Sequence, residues 1–176
     1  MQLFWSRGYA ATSTQDLVDT LGLNRSSLYA TFGSKADLYS RALERYGRTV
    51  QNWSRSLVEG PEPLRPRLRA ALLEAVEEDL DPRRSRGCFA SNAAVELAPA
   101  DPEVRRLVTG AFSDIRGRFR DAVTRGIDDG DLPLDTDVDG LATFLFTSFE
   151  GLRVVAKGTQ DRRLVEQAIE KIVDAL

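Results

Sequence analysis

The sequence predicts an all-α protein of about nine helices, with a small N-terminal head followed by an antiparallel helical body. Three observations predict this. Apolar residues return every three or four positions in each long segment, the period of a helix with one buried face. No segment carries the sustained apolar–polar alternation of a strand. Prolines and glycines around residues 60–66, 81–87, 99–102 and 128–133 then cut the chain into pieces of helical length.

The elements follow in order. A short first helix is expected at the N-terminus. Thr12, Ser13 and Thr14 offer N-caps to a second, and Ser13 with Asp16 has capping-box spacing. Leu17, Val18 and Leu21 are its apolar face, and Gly22 supplies the tight turn that ends it. Asn24 then caps a third short helix over residues 25–32, apolar at Leu28 and Phe32 and polar on its other side. Two short helices around a glycine turn form a helix-turn-helix, a unit whose second helix can lie in the major groove of DNA. Gly33 closes that helix, and Ser34 with Asp37 has capping-box spacing for the next. The stripe Leu38, Ala42, Tyr46, Val50, Trp53 and Leu57 demands a fourth, long helix that stops at Gly60-Pro61.

The body continues with a stripe at Leu64, Leu68, Leu72, Val76 and Leu80, ended by Asp81-Pro82. A basic loop at residues 83–87, read as solvated, leads to a short apolar helix over 88–97. Val104, Leu107, Ala111, Ile115, Phe119, Ala122 and Ile127 mark another long helix. Final helices are expected over 138–156 and 162–176.

Composition narrows the function. An apolar fraction of 42% supports a real core and argues against disorder. With no histidine and one cysteine, most zinc, haem and imidazole acid–base chemistry is excluded. Neither a paired-carboxylate motif nor a glycine-rich phosphate loop is present, so the expectation is a protein that is not an enzyme and needs no cofactor or metal. The run Asp135-Thr136-Asp137-Val138-Asp139-Gly140 matches half a calcium loop, but Phe146 stands where a bidentate glutamate belongs. The lone Cys88 cannot form an internal disulfide, and no run approaches the roughly 20 apolar residues of a membrane span. A cytoplasmic location is expected. The net charge of −3 conceals an asymmetry. Residues 1–50 hold six basic and four acidic side chains, a net of +2, so the remainder carries −5. A mildly basic head on an acidic body suits a nucleic-acid reader.

The run from Phe4 to Ser13, with its Gly8-Tyr9 and Thr12-Ser13, and the run Leu28-Tyr29-Ala30-Thr31-Phe32-Gly33-Ser34-Lys35 together resemble the signature of the TetR family of bacterial transcription regulators. The resemblance covers about residues 3–46. It implies a DNA-binding domain over 1–46 and a ligand-binding and dimerisation domain over 47–176. The family's first helix usually begins earlier, so the first helix here is expected to be truncated. Carried over by position, Thr14 and Gln15 would meet phosphate, and Arg25, Ser26 and Ser27 would face base edges. Tyr29 and Thr31 would lie on the same DNA-facing side, and Lys35 would hold phosphate.

The penultimate helix is apolar on nearly every side and should be buried twice, with Thr143, Thr147 and Gly151 forming a small-residue stripe for close approach. In TetR-like proteins the last two helices pair with their mates. The resemblance therefore implies a homodimer through Thr143, Thr147, Gly151, Val155, Val165, Ile169 and Ile172. By the same analogy, a small apolar or aromatic effector would touch Trp53, Cys88, Phe89, Asn92, Phe112, Phe119 and Phe146, with Trp53 as the lever that releases DNA. Asn92 can equally bond a neighbouring carbonyl, and Cys88 can be either a sensor or a small hydrophobe. The expected function is a repressor of a pseudo-palindromic double-stranded operator. The competing expectations are an all-helical small-molecule binder with a vestigial head, and a protein-interaction module.

Overall fold

The computed structural model describes residues 1–176 apart from the side chains of residues 49–56, and the described residues form nine helices and no strand. In order these are α1 (Gln2–Arg7), α2 (Thr14–Leu21), α3 (Arg25–Phe32), α4 (Lys35–Val58), α5 (Leu64–Leu80), α6 (Phe89–Glu96), α7 (Pro102–Asp128), α8 (Val138–Thr159) and α9 (Arg162–Asp174). The all-α expectation holds. Val50 and Trp53, and with them the proposed lever, lie outside the described residues.

Local chemistry sets the helix starts. Ser13 and Asp16 form the full capping box of α2. The Asn24 side chain accepts the Ser27 N–H at 2.7 Å, and Asp161 accepts that of Leu164 at 3.0 Å. Each such cap stabilises its helix by about 1 kcal/mol. The half calcium motif is absorbed the same way. Asp137 accepts the Gly140 N–H at 3.0 Å as the cap of α8, and no cluster of metal-ligating side chains occurs among the described residues.

The chain divides into two compact units. One comprises Thr49–Cys88 and Phe112–Leu176, where α5, α8 and α9 pack pairwise. Leu64, Leu68, Leu72 and Val76 are all buried, as the four-residue spacing of the α5 stripe requires. Each removes about 1.5–3 kcal/mol worth of apolar surface from water. Val165, Ile169 and Ile172, expected at a dimer seam, instead face this same core and are buried within the one chain. The reason is that α9 is amphipathic and carries Val165, Ile169, Ile172 and Val173 on a single face, which α5 and α8 occupy. The exposed side of α9 offers Leu164. A buried ion pair also lies here: Arg153 Nε stands 2.9 Å from Asp79 Oδ2, while Asp79 Oδ1 accepts the Gly87 N–H at 2.7 Å. The end of α4 is tied down by two guanidinium groups. Arg67 and Arg125 both donate to the Val58 carbonyl, one of the acceptors a helix C-terminus leaves open.

The other unit comprises Met1–Arg48 and Phe89–Ala111. It takes in α6 and the first part of α7 beside the N-terminal helices. Aromatic packing explains why α6 belongs here. Phe89, almost fully buried, meets Tyr39 and Tyr46 edge-on at 5.4 and 5.8 Å and stacks on Trp5 at 6.3 Å. Phe4 meets Tyr39 at 5.1 Å. Such ring pairs contribute about 0.5–1.5 kcal/mol each beyond area burial.

Candidate nucleic-acid interface

The interface is built from two short helices and one glycine. Gly22 takes φ +64 and ψ +28, the left-handed turn that reverses the chain between α2 and α3. Leu17 of α2 and Leu28 of α3 are buried, anchoring the pair from beneath. The Thr14 and Tyr29 hydroxyls meet at 3.2 Å, a cross-link between the two helices on the outer side.

With Leu28 turned inward, α3 presents the opposite face to solvent. Arg25, Ser26, Tyr29 and Thr31 are exposed, and Ser27 is half-buried with its N–H committed to the Asn24 cap. Arg25 makes no hydrogen bond or ion pair among the described residues, so its guanidinium donors are available to an external acceptor. Gln15 is exposed on α2, with its amide donating to Asp19 at 2.8 Å, and Thr14 is half-buried. Lys35 opens α4 two residues after Gly33, and its Nζ lies 4.2 Å above the centre of the Tyr9 ring. That cation–π contact holds the charge in place and leaves other Nζ donors for a phosphate. The structure thus gathers all eight expected residues on or beside α2 and α3. At the edge of the same surface, Asp16 pairs with Arg7 at 3.0 Å. Hydrogen bonds from Ser13, helped by Arg7, hold its carboxyl below the usual range.

The described effector candidates divide between the two units. Phe89 belongs to the aromatic core of the N-terminal unit, packed against Tyr39 and Tyr46. Asn92 is half-buried in that same unit. In the other unit Phe119 is fully buried against Phe149 at 5.7 Å, and Cys88 is buried. Phe112 and Phe146 are half-buried and meet at 5.4 Å. A surface pocket of about 360 Å³ lies elsewhere, between Glu59, Glu62, Arg67 and Glu74, and holds none of them.

The α8 stripe is open. Thr143, Thr147, Gly151 and Val155 are exposed beside Phe144 and Val154. A Cβ placed on Gly151 would meet nothing within 4 Å. Thr143 and Thr147 donate their hydroxyls back to the carbonyls of Asp139 and Thr143, so the stripe satisfies its own polar atoms.

Sequence reasoning missed one residue of consequence. Glu96, the last residue of α6, accepts the backbone N–H groups of Tyr9 and Ala10 at 2.9 and 2.8 Å. The signal was an acidic side chain ending an otherwise apolar helix, visible only once α6 is known to pack beside α1.

Comparison with known proteins agrees with this geometry. Residues 1–42 match the family described as "Bacterial regulatory proteins, tetR family", and residues 65–172 match "Tetracyclin repressor-like, C-terminal domain". A Bacillus subtilis HTH-type transcriptional regulator, YezE, is 32% identical across all of this chain and 91% of its own length. The HTH-type transcriptional repressor DhaR of a Mycobacterium species is 27% identical over 99% of this chain and 87% of its own. Among solved structures, a cysteine-substituted form of the regulator CifR complexed with a 26-bp double-strand operator superposes with a TM-score of 0.86. It is 33% identical, over 98% of this chain and 90% of that one. With a helix-turn-helix whose outer face is free and both family domains matched in order, this chain belongs to the TetR family and is a DNA-binding transcriptional regulator.

Proposed function

We propose that this regulator is a homodimeric repressor that binds a pseudo-palindromic operator and lets go of it when a small apolar or aromatic molecule binds its body. The observation that supports this most strongly is the outward face of α3, where Arg25, Ser26, Tyr29 and Thr31 surround a buried Leu28 anchor. Arg25 and Ser26 suit base edges, whereas Thr14, Gln15 and Lys35 suit the flanking phosphates. DNA reading lies within residues 1–46, and effector binding and pairing lie within 47–176. The repressor DhaR and the operator-bound CifR favour this direction of control.

Pairing would use the exposed side of α8, where Phe144, Val154 and Val155 flank the Thr143–Thr147–Gly151 stripe, together with Leu164 of α9. Such apolar residues side by side on one face suit a second copy better than water. The effector would contact Phe112 and Phe146, whose half-buried rings can be completed by an aromatic guest. The protein acts by binding rather than by catalysis, in the compartment where its operator lies.

The test is a gel-shift titration of the full chain against DNA upstream of its own gene, repeated with a shuffled duplex. Retardation of the first at concentrations that leave the second free is expected. Equal retardation of both would overturn sequence-specific recognition.

A further inference from the structure

We propose that Glu96 is a positioning residue for DNA recognition, a buckle at the end of α6 that holds the α1–α2 turn and, through Tyr9, the start of α4. It rests on the DNA-binding reading above.

Both carboxylate oxygens are used: Oε2 accepts the Tyr9 N–H at 2.9 Å and Oε1 the Ala10 N–H at 2.8 Å. The backbone is shaped to receive them. Gly8 takes φ +84, a conformation that strains any residue with a Cβ, and a Cβ there would also crowd the two oxygens at 3.0 and 3.2 Å. Thr12, fully buried, donates to the Gly8 carbonyl at 2.6 Å and closes the turn from its other side. A carboxylate in the last turn of a helix opposes the helix dipole, so α6 alone gains nothing from Glu96. The gain lies in the two N–H groups it satisfies.

The clamp reaches the reading surface through Tyr9. Its ring stacks on Phe4 at 6.3 Å, meets Tyr39 edge-on at 5.2 Å, and carries Lys35 Nζ on its face at 4.2 Å. Lys35 follows α3 by three residues, so the position of Tyr9 sets that of the phosphate-holding charge relative to α3. Releasing the buckle lowers the fraction of molecules with the head correctly arranged, and apparent affinity falls by that fraction.

The experiment uses the full chain and a duplex selected from a random-sequence pool by the wild-type protein, with a shuffled duplex as control. Glu96→Ala should weaken the selected duplex by about tenfold while leaving the salt slope unchanged, because no phosphate contact is removed. Hydrogen exchange at the Tyr9 and Ala10 amides should accelerate, with amides of α5 and α8 unaltered. Glu96→Gln, which keeps one good acceptor, should fall between wild type and alanine. Unchanged affinity in both variants, or a loss accompanied by unaltered Tyr9 and Ala10 exchange, would overturn the buckle. A pool that yields no preferred duplex for the wild type would instead overturn the DNA-binding reading beneath it.

Discussion

Replacing Arg153 by methionine should expose how much the body depends on one buried charge pair. Asp79 is 1% exposed and Arg153 11%, with 2.9 Å between Nε and Oδ2. Methionine preserves much of the stem volume but leaves the carboxylate with only the Gly87 N–H, at 2.7 Å. Removing one member of a buried pair costs about 3–5 kcal/mol, since the remaining charge is neither hydrated nor compensated. For a chain of this size, each kcal/mol lowers the thermal midpoint by roughly 2–4 °C, so a fall of about 10 °C is expected by circular dichroism. Two controls isolate the cause. Asp79→Asn combined with Arg153→Met removes the stranded charge while keeping an acceptor for Gly87, and should recover part of the loss. Lys171→Met breaks an ion pair that is just as short, 2.8 Å from Asp174, but exposed, and should leave the midpoint within error. If Arg153→Met also left the midpoint within error, or the double variant were the least stable, the claim that burial makes this pair matter would fail.

Three further outcomes follow from the surfaces. Lys35→Ala should weaken binding to every duplex alike and reduce the salt slope by about one unit, whereas Arg25→Ala should cost about 1–3 kcal/mol at a single base position; matching profiles across operator variants would refute that division of roles. Gly151→Arg places a long charge on the open α8 stripe and should yield monomers by sedimentation, and an intact dimer would move the seam elsewhere. Asn24→Ala removes the side chain that accepts the Ser27 N–H and should destabilise the N-terminal unit by about 1 kcal/mol, read as faster amide exchange in α3.

Much of this was legible in the sequence because it depends on local rules. The capping residues Ser13 and Asn24, the turn at Gly22 and the four-residue stripe of α5 each act within one or two turns, and the structure bears them out. What was not legible depends on which helix packs beside which. The packing of Phe89 is one case, because an aromatic on a short apolar helix carries no mark of its neighbours; its partners, Tyr39 and Tyr46, lie more than 40 positions away. Val165, Ile169 and Ile172 looked like a seam because an amphipathic helix shows that one face is buried, not whether the same chain covers it. Glu96 was invisible for the same reason: its two partners are 86 and 87 residues distant. The outward face of α3 needs only Leu28 as a reference, and so is legible in the sequence.

In the function proposed above, the outer face of α3 reads base sequence as one of two copies on a duplex. This role is tested most directly by equilibrium anisotropy of the full chain on a selected duplex and a shuffled one of equal length, across a salt series, with stoichiometry from the saturation point. Two chains per selected duplex are expected, with a preference of at least about a thousandfold over the shuffled one, lost on changing α3 residues to alanine. Equal affinity for the two duplexes, with or without an intact α3 face, would contradict it.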